Sequence, residues 1–169
     1  MKTTSKITGA TVFLVLLSGL SLSVASDIDK KLVERGRYLV AISGCNDCHT
    51  PGYPEAGGKV PESQWLIGTA VGFQGPWGTT YPANLRRIIS SLSEQQWLAL
   101  ARSPKRPPMP WYILRDMTDK DLRAIYLYVR TLNPLGKNAP DFVPPGQQVS
   151  TPYIEFFPKN LPATAQLAH

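Results

Sequence analysis

The sequence predicts a helical domain, and three observations carry that expectation. Apolar residues recur at helical spacing in separated segments of the chain. The stretch from 50 to 82 is instead rich in Gly and Pro and shows no period. Ahead of that stretch lies a Cys-x-x-Cys-His run, Cys45-Asn46-Asp47-Cys48-His49, which holds both cysteines of the 169-residue chain.

In chain order, the first feature is a leader. Lys2 and Lys6 precede an apolar stretch from Ala10 to Leu22, and Ser23-Val24-Ala25 supplies small residues where a signal peptidase reads. Residues 1–25 are therefore expected to direct export, to the periplasm or an equivalent compartment, with cleavage after Ala25. The apolar stretch is short for a span, so a membrane is expected only if the leader stays uncleaved. Cleavage leaves 144 of 169 residues, enough for one domain, and removes two lysines, lowering the formal charge from +6 to +4. This mild balance does not point to nucleic acid. Arg86, Arg87, Arg102, Lys105 and Arg106 lie close in sequence and read either as solvated surface or as a docking patch for an acidic redox partner.

Ser26 or Asp27 can cap a first helix running to about Ser43, with Ile28, Leu32, Val33, Gly36, Leu39 and Val40 at helical spacing. A mid-helix glycine is unfavourable by about 1 kcal/mol against alanine, so Gly36 is expected to permit close approach by another element. Gly44 then breaks the helix.

The run that follows has a chemical reading. Two thiols three positions apart on a turn of helix can form thioethers with the two vinyl groups on one edge of a porphyrin. The adjacent imidazole, His49, then lies where it can serve as proximal iron ligand. The pattern reads as one covalent haem c held through Cys45 and Cys48. A thioredoxin-like Cys-x-x-Cys is expected to follow a strand in a βαβ unit, and nothing around Cys45 reads as one. A zinc site needs further ligands, and the only other histidine is the terminal His169.

Residues 50–82 are expected to form a long ordered loop around one haem edge, burying Trp65, Phe73, Trp77 and Tyr81. Ser93-Glu94-Gln95-Gln96 is a capping-box pattern opening a helix from Glu94 to Arg102, which ends before Pro104. Pro107-Pro108-Met109-Pro110-Trp111 reads as a stiff, extended segment. Thr118 caps a last helix carrying Leu122, Ile125, Tyr126 and Val129 on one face, stopped by Asn133-Pro134. The tail from 135 to 169 is proline-rich and non-periodic, either a wrapped extension or partly disordered.

A haem iron with a histidine on one side takes a sixth partner or stays open. The thioether candidates are Met109 and Met117, and the imidazole candidate is His169. Met109 is favoured because flanking prolines restrict its backbone and can hold its sulfur at one distance. Met117 directly precedes the Thr118 cap, where an apolar residue commonly packs as a hydrophobic staple.

The order of helix, Cys45-x-x-Cys48-His49, long loop, methionine in a proline-flanked segment and final helix resembles the small class I cytochromes c. It is especially similar to the monohaem domains that accompany periplasmic dehydrogenases. The supporting runs are Gly36-Arg37-Tyr38-Leu39, Gly44 to Thr50, Tyr81-Pro82-Ala83-Asn84-Leu85, Pro108-Met109-Pro110-Trp111 and Asp121 to Tyr126, within about residues 30–133. The resemblance implies an all-α cytochrome c fold whose N- and C-terminal helices cross around one covalent haem, with a long loop and a Pro-rich C-terminal extension. The expected divisions are 1–25 signal peptide, 26–134 cytochrome c domain and 135–169 extension. The resemblance further implies that Gly36 meets an aromatic of the last helix, Tyr126, at the crossing, that Met109 is the axial ligand, and that Tyr81 and Asn84 hydrogen-bond propionates. Arg86-Arg87-Ile88-Ile89 departs from the polar run often found there in dehydrogenase-associated domains, so their partner specificity does not carry over directly.

The expected function is a periplasmic one-electron carrier with His49/Met109 ligation, taking electrons from a dehydrogenase and passing them to an oxidase or another cytochrome. The alternative is a haem subunit fixed in a multi-subunit dehydrogenase or oxidase complex. An open-site haem enzyme or gas sensor is the third reading; it is disfavoured by the lack of a second Cys-x-x-Cys-His and of a distal acid–base pair. No catalytic residue of its own is expected.

Overall fold

The computed structural model describes residues 29–160. The leader, the Ser26 or Asp27 cap and His169 lie outside the described residues. The described chain contains helix α1 over residues 29–42, α2 (Cys45–His49), α3 (Leu85–Ser90), α4 (Glu94–Arg102), α5 (Tyr112–Asp116) and α6 (Asp119–Thr131), with a 3-10 turn at Glu62–Gln64. No described helix is long and apolar enough to cross a membrane.

The two long helices and α4 supply most of the core. Leu32, Leu39 and Val40 of α1 pack with Trp97 and Ala101 of α4 and with Leu122, Ala124, Ile125, Tyr128 and Val129 of α6. Their caps follow the sequence. Ser93 and Gln96 form the reciprocal capping box of α4, and the Thr118 hydroxyl accepts the Asp121 N–H at 3.1 Å. Gly44 breaks the chain between α1 and α2 in the left-handed region, with φ 72°.

Gly36 is the point of closest approach between α1 and α6. A Cβ there would lie 2.0 Å from the Ala124 carbonyl oxygen and 2.8 Å from Cβ of Tyr128. The expectation of Tyr126 at this crossing is corrected to Ala124 and Tyr128. Those two are one helical turn apart and share a face, whereas Tyr126 is rotated away and donates its hydroxyl to the Leu92 carbonyl at 3.0 Å. Gly36→Ala is expected to lose about 2 kcal/mol or more despite a helix-propensity gain near 1 kcal/mol, because the obstacle is backbone that cannot rotate away. A lower denaturation midpoint at unchanged slope is the result to look for.

The all-α expectation needs amending. Strands β1 (Gly72–Gly75) and β2 (Gly78–Thr80) form an antiparallel hairpin in the loop, and β3 (Tyr153–Glu155) of the tail pairs with β1 in parallel, giving the order β2-β1-β3. These strands are three or four residues long, too short for a period-2 pattern to stand out. Between residues 135 and 160 the tail is a wrapped extension. Val143 exchanges both backbone hydrogen bonds with Thr79, at 2.8 and 3.0 Å, and the Phe156 ring packs on Phe73 and Trp77.

A buried polar bolt joins the loop to the helices. Arg86, 4% exposed, donates to the carbonyls of Glu62, Ser63, Trp65 and Leu132. The Glu62 carboxylate accepts from Arg37 and from the Tyr128 hydroxyl, each at 2.7 Å. Burial pushes the Glu62 carboxyl upward, but these hydrogen bonds outweigh it and hold the group below its ordinary value. Arg86 therefore leaves the surface patch that the sequence allowed. Four carbonyl partners satisfy its fork without a buried carboxylate in direct contact.

Candidate functional site

A cavity of about 380 Å³ opens between α1, α2, α4, α6 and the segment after α4. Its apolar wall includes Val40, Leu66, Trp97, Ile125 and Val129, and the same wall carries Cys45, Cys48, His49 and Met109. The structure thus brings together the four residues singled out for haem, although 60 positions separate His49 from Met109. The two cysteines are not joined to each other. Burial pushes the Cys45 thiol up to about 11 and, with Asp47 nearby, raises Cys48 as well.

His49 is oriented by backbone. Its Nδ1 lies 2.7 Å from the Ala83 carbonyl oxygen, which as an acceptor fixes the proton on Nδ1 and leaves the Nε2 lone pair available. Burial lowers the imidazole's pKa, which favours the neutral form that a metal requires, against an opposing pull from the Ala83 bond. The floor beside it is equally constrained. The Leu66 N–H donates to Thr50 Oγ1 at 2.8 Å, and Thr50 donates onward to Asn46 Oδ1 at 2.7 Å. Leu66 is fully buried with φ 62°, a strained left-handed conformation held by these bonds and by the Leu85 N–H to its carbonyl.

Tyr81 and Asn84 do not line the cavity. The Tyr81 hydroxyl pairs with Thr151 of the tail at 2.7 Å. Asn84 is 2% exposed; its oxygen caps α3 by accepting from Arg87 N–H at 3.2 Å, and its amide donates to the carbonyls of Leu135 and Lys137. Their polar atoms are therefore engaged in holding α3 and the tail. The run containing them does serve the site, through the Ala83 carbonyl. Sequence reasoning missed Ala83 because a backbone acceptor leaves no mark on residue type.

Met109 sits in a turn instead of an extended segment: its N–H donates to the Arg106 carbonyl at 3.3 Å, and the Met109 carbonyl accepts from Trp111 N–H at 2.8 Å. Thr80 Oγ1 donates to the Pro107 carbonyl at 2.8 Å, tying this turn to β2. Met117 is outside the cavity wall and packs half-buried against the core at the C-terminal cap of α5. His169 lies outside the described residues.

The residues present fit a haem. The wall is apolar and contains no Asp or Glu among its described residues, two thiols and a neutral imidazole share one helix on it, and a thioether is available from another part of the chain. Of the basic residues near the site, Arg102 pairs with Asp119, and Lys105 donates to the carbonyls of Leu100 and Ser103, while Arg87 reaches Asn138 and the Gly136 carbonyl. Arg106 remains on the rim.

The chain is similar to several known proteins. The cytochrome c subunit of the quinone alcohol dehydrogenase of Gluconacetobacter polyoxogenes is 28% identical over 136 residues, covering 73% of this chain and 26% of the relative. The corresponding subunit of Gluconobacter oxydans is 30% identical over 117 residues, covering 62% and 22%. One of the subunits of a nicotinate dehydrogenase of Pseudomonas putida is 26% identical over 120 residues, covering 64% and 9%. The chain thus spans about a quarter or less of the length of these relatives. No solved structure matches at a significant level. A family model described as cytochrome c matches residues 33–133, a range that contains both cysteines, His49 and Met109. With that match over more than half its length and a cavity walled by the thiols, imidazole and thioether, the chain belongs to the cytochrome c family.

Proposed function

We propose that this chain is an exported one-electron carrier with a single haem c attached through Cys45 and Cys48 and ligated axially by His49 and Met109. The observation that carries the reading is the shared cavity wall of those four residues. When bound, haem supplies a metal centre able to take up and return one electron. The protein's own residues do the rest. The Ala83 carbonyl holds His49 in the tautomer that presents Nε2. The 106–109 turn, anchored by Thr80, holds the Met109 thioether, whose ligation would raise the reduction potential. Val40, Leu66, Trp97, Ile125 and Val129 exclude water.

The test is the visible spectrum. The oxidised protein is expected to show a weak near-red band that disappears on reduction, and the native reduced protein is expected not to bind carbon monoxide. A five-coordinate high-spin spectrum with ready carbon monoxide binding contradicts the Met109 ligand and favours an open site.

A second reading, a haem subunit fixed in a dehydrogenase complex, draws on the relatives' names and on the exposed Tyr153, Ile154, Phe156 and Phe157 of the tail. Co-purification at fixed stoichiometry, lost in a Tyr153→Ser/Phe157→Ser variant that still loads haem, supports it. In either form, a periplasmic dehydrogenase is the proposed donor and an oxidase or another cytochrome the acceptor.

A further inference from the structure

We propose that Arg106, backed by Phe142 of the C-terminal extension, binds a propionate carboxylate of the haem and so makes the extension part of the redox site. The inference rests on the haem reading above and joins a residue inside the family match to one beyond its end at 133.

Two cationic side chains line the cavity, Lys105 and Arg106. Lys105 folds back on its own segment, its ammonium donating to Leu100 and Ser103. Among the described residues, the Arg106 guanidinium has neither an ion-pair nor a hydrogen-bond partner. Its Cζ stands 4.0 Å from the centroid of the Phe142 ring, a cation–π stack. Stacking engages the flat face of the guanidinium and leaves the in-plane N–H groups free, the fork that matches a carboxylate bidentately. The described residues of the cavity wall offer no carboxylate to compete. Arg106 is exposed at the rim, so water meets its fork until an anion displaces it, and a haem brings two carboxylates with it.

Phe142 is held firmly enough to aim this group. A Cβ on Gly78 would lie 2.4 Å from the Val143 carbonyl oxygen and 3.0 Å from the Phe142 ring, so the tail lies directly on the hairpin backbone. The next residues, Thr79 and Val143, exchange both backbone hydrogen bonds. On the other side, Thr80 holds Pro107, and the Arg106 carbonyl accepts from Met109. Tail, hairpin and methionine turn are thus one assembly at the rim, with Arg106 at its junction. A positive charge there offsets the negative charge of the propionate and favours the reduced haem, so its removal lowers the potential.

The experiment is redox titration and resonance Raman spectroscopy of full-length holoprotein carrying Arg106→Gln, Arg106→Lys or Phe142→Leu. Arg106→Gln is expected to lower the reduced-to-oxidised ratio at fixed ambient potential about three- to tenfold, a tenfold change being ~59 mV for one electron. It is also expected to shift the propionate bending band. Arg106→Lys should recover part of the potential without restoring the band. Phe142→Leu should lower the potential less than Arg106→Gln does, and add nothing in the Arg106→Gln background. A wild-type potential and propionate band in Arg106→Gln overturn the proposal. A Phe142→Leu protein indistinguishable from wild type overturns the extension's part in it. If Arg106→Gln does not load haem, Arg106→Lys and Phe142→Leu carry the test through the same band and potential. Absence of covalent haem in the wild-type protein would instead refute the proposed function itself.

Discussion

Met109→Ala is expected to keep its haem, because the proposed thioethers to Cys45 and Cys48 do not depend on the axial ligand, but to lose the near-red band and bind carbon monoxide when reduced. Loss of the thioether should lower the reduction potential on the order of 0.1 V or more, within the ~0.8 V range that axial ligands span. The turn bearing Met109 is fixed through backbone groups of Arg106, Pro107 and Trp111, so the variant should still fold. Met117→Leu provides the contrast. Met117 packs against the core and is not in the cavity wall, so a swap of similar volume should cost less than about 1.5 kcal/mol and leave spectrum and potential alone. Reversed results would transfer the axial role to Met117.

Replacing both cysteines, Cys45→Ala/Cys48→Ala, is expected to remove covalent haem and with it much of the fold. At ~24 cal/mol per Å³, an unfilled apolar volume of about 380 Å³ corresponds to a cost on the order of 9 kcal/mol. Its open rim reduces that figure, yet it remains comparable with the ~5–15 kcal/mol by which whole domains are stable. The expected result is a chain that gives no haem stain after denaturing electrophoresis and lacks a cooperative thermal transition. A double variant that melts as sharply as wild type would show that the cavity wall supports itself without its occupant.

The parts of this protein legible in the sequence are those written in side-chain type and spacing. Leu32, Leu39 and Val40, and Leu122, Ile125 and Val129, announced α1 and α6 through period; Ser93 and Thr118 announced where two helices begin. The Cys45–His49 run and the proline-flanked Met109 identified the residues that converge on the cavity. What escaped is carried by backbone. Helices α3 and α5 are six and five residues long, too short for a period to register, and the sheet pairs strands of three or four residues across about 80 positions. Ala83 orients His49 with a carbonyl, and Arg86 is buried by four carbonyls, so neither role shows in residue type. Asn84 and Tyr81 place their hydrogen bonds on α3 and the tail, partners that lie far off in sequence or on backbone and so leave no local pattern.

The central claim is one haem covalently bound per chain through Cys45 and Cys48. A pyridine haemochrome spectrum of the exported protein, combined with its intact mass, tests this most directly. The account predicts a c-type haemochrome, one haem per polypeptide that resists acid–solvent extraction, and a mass equal to the processed chain plus one haem. Haem that extracts freely, or a mass equal to the polypeptide alone with its two cysteines joined as a disulfide, would contradict it.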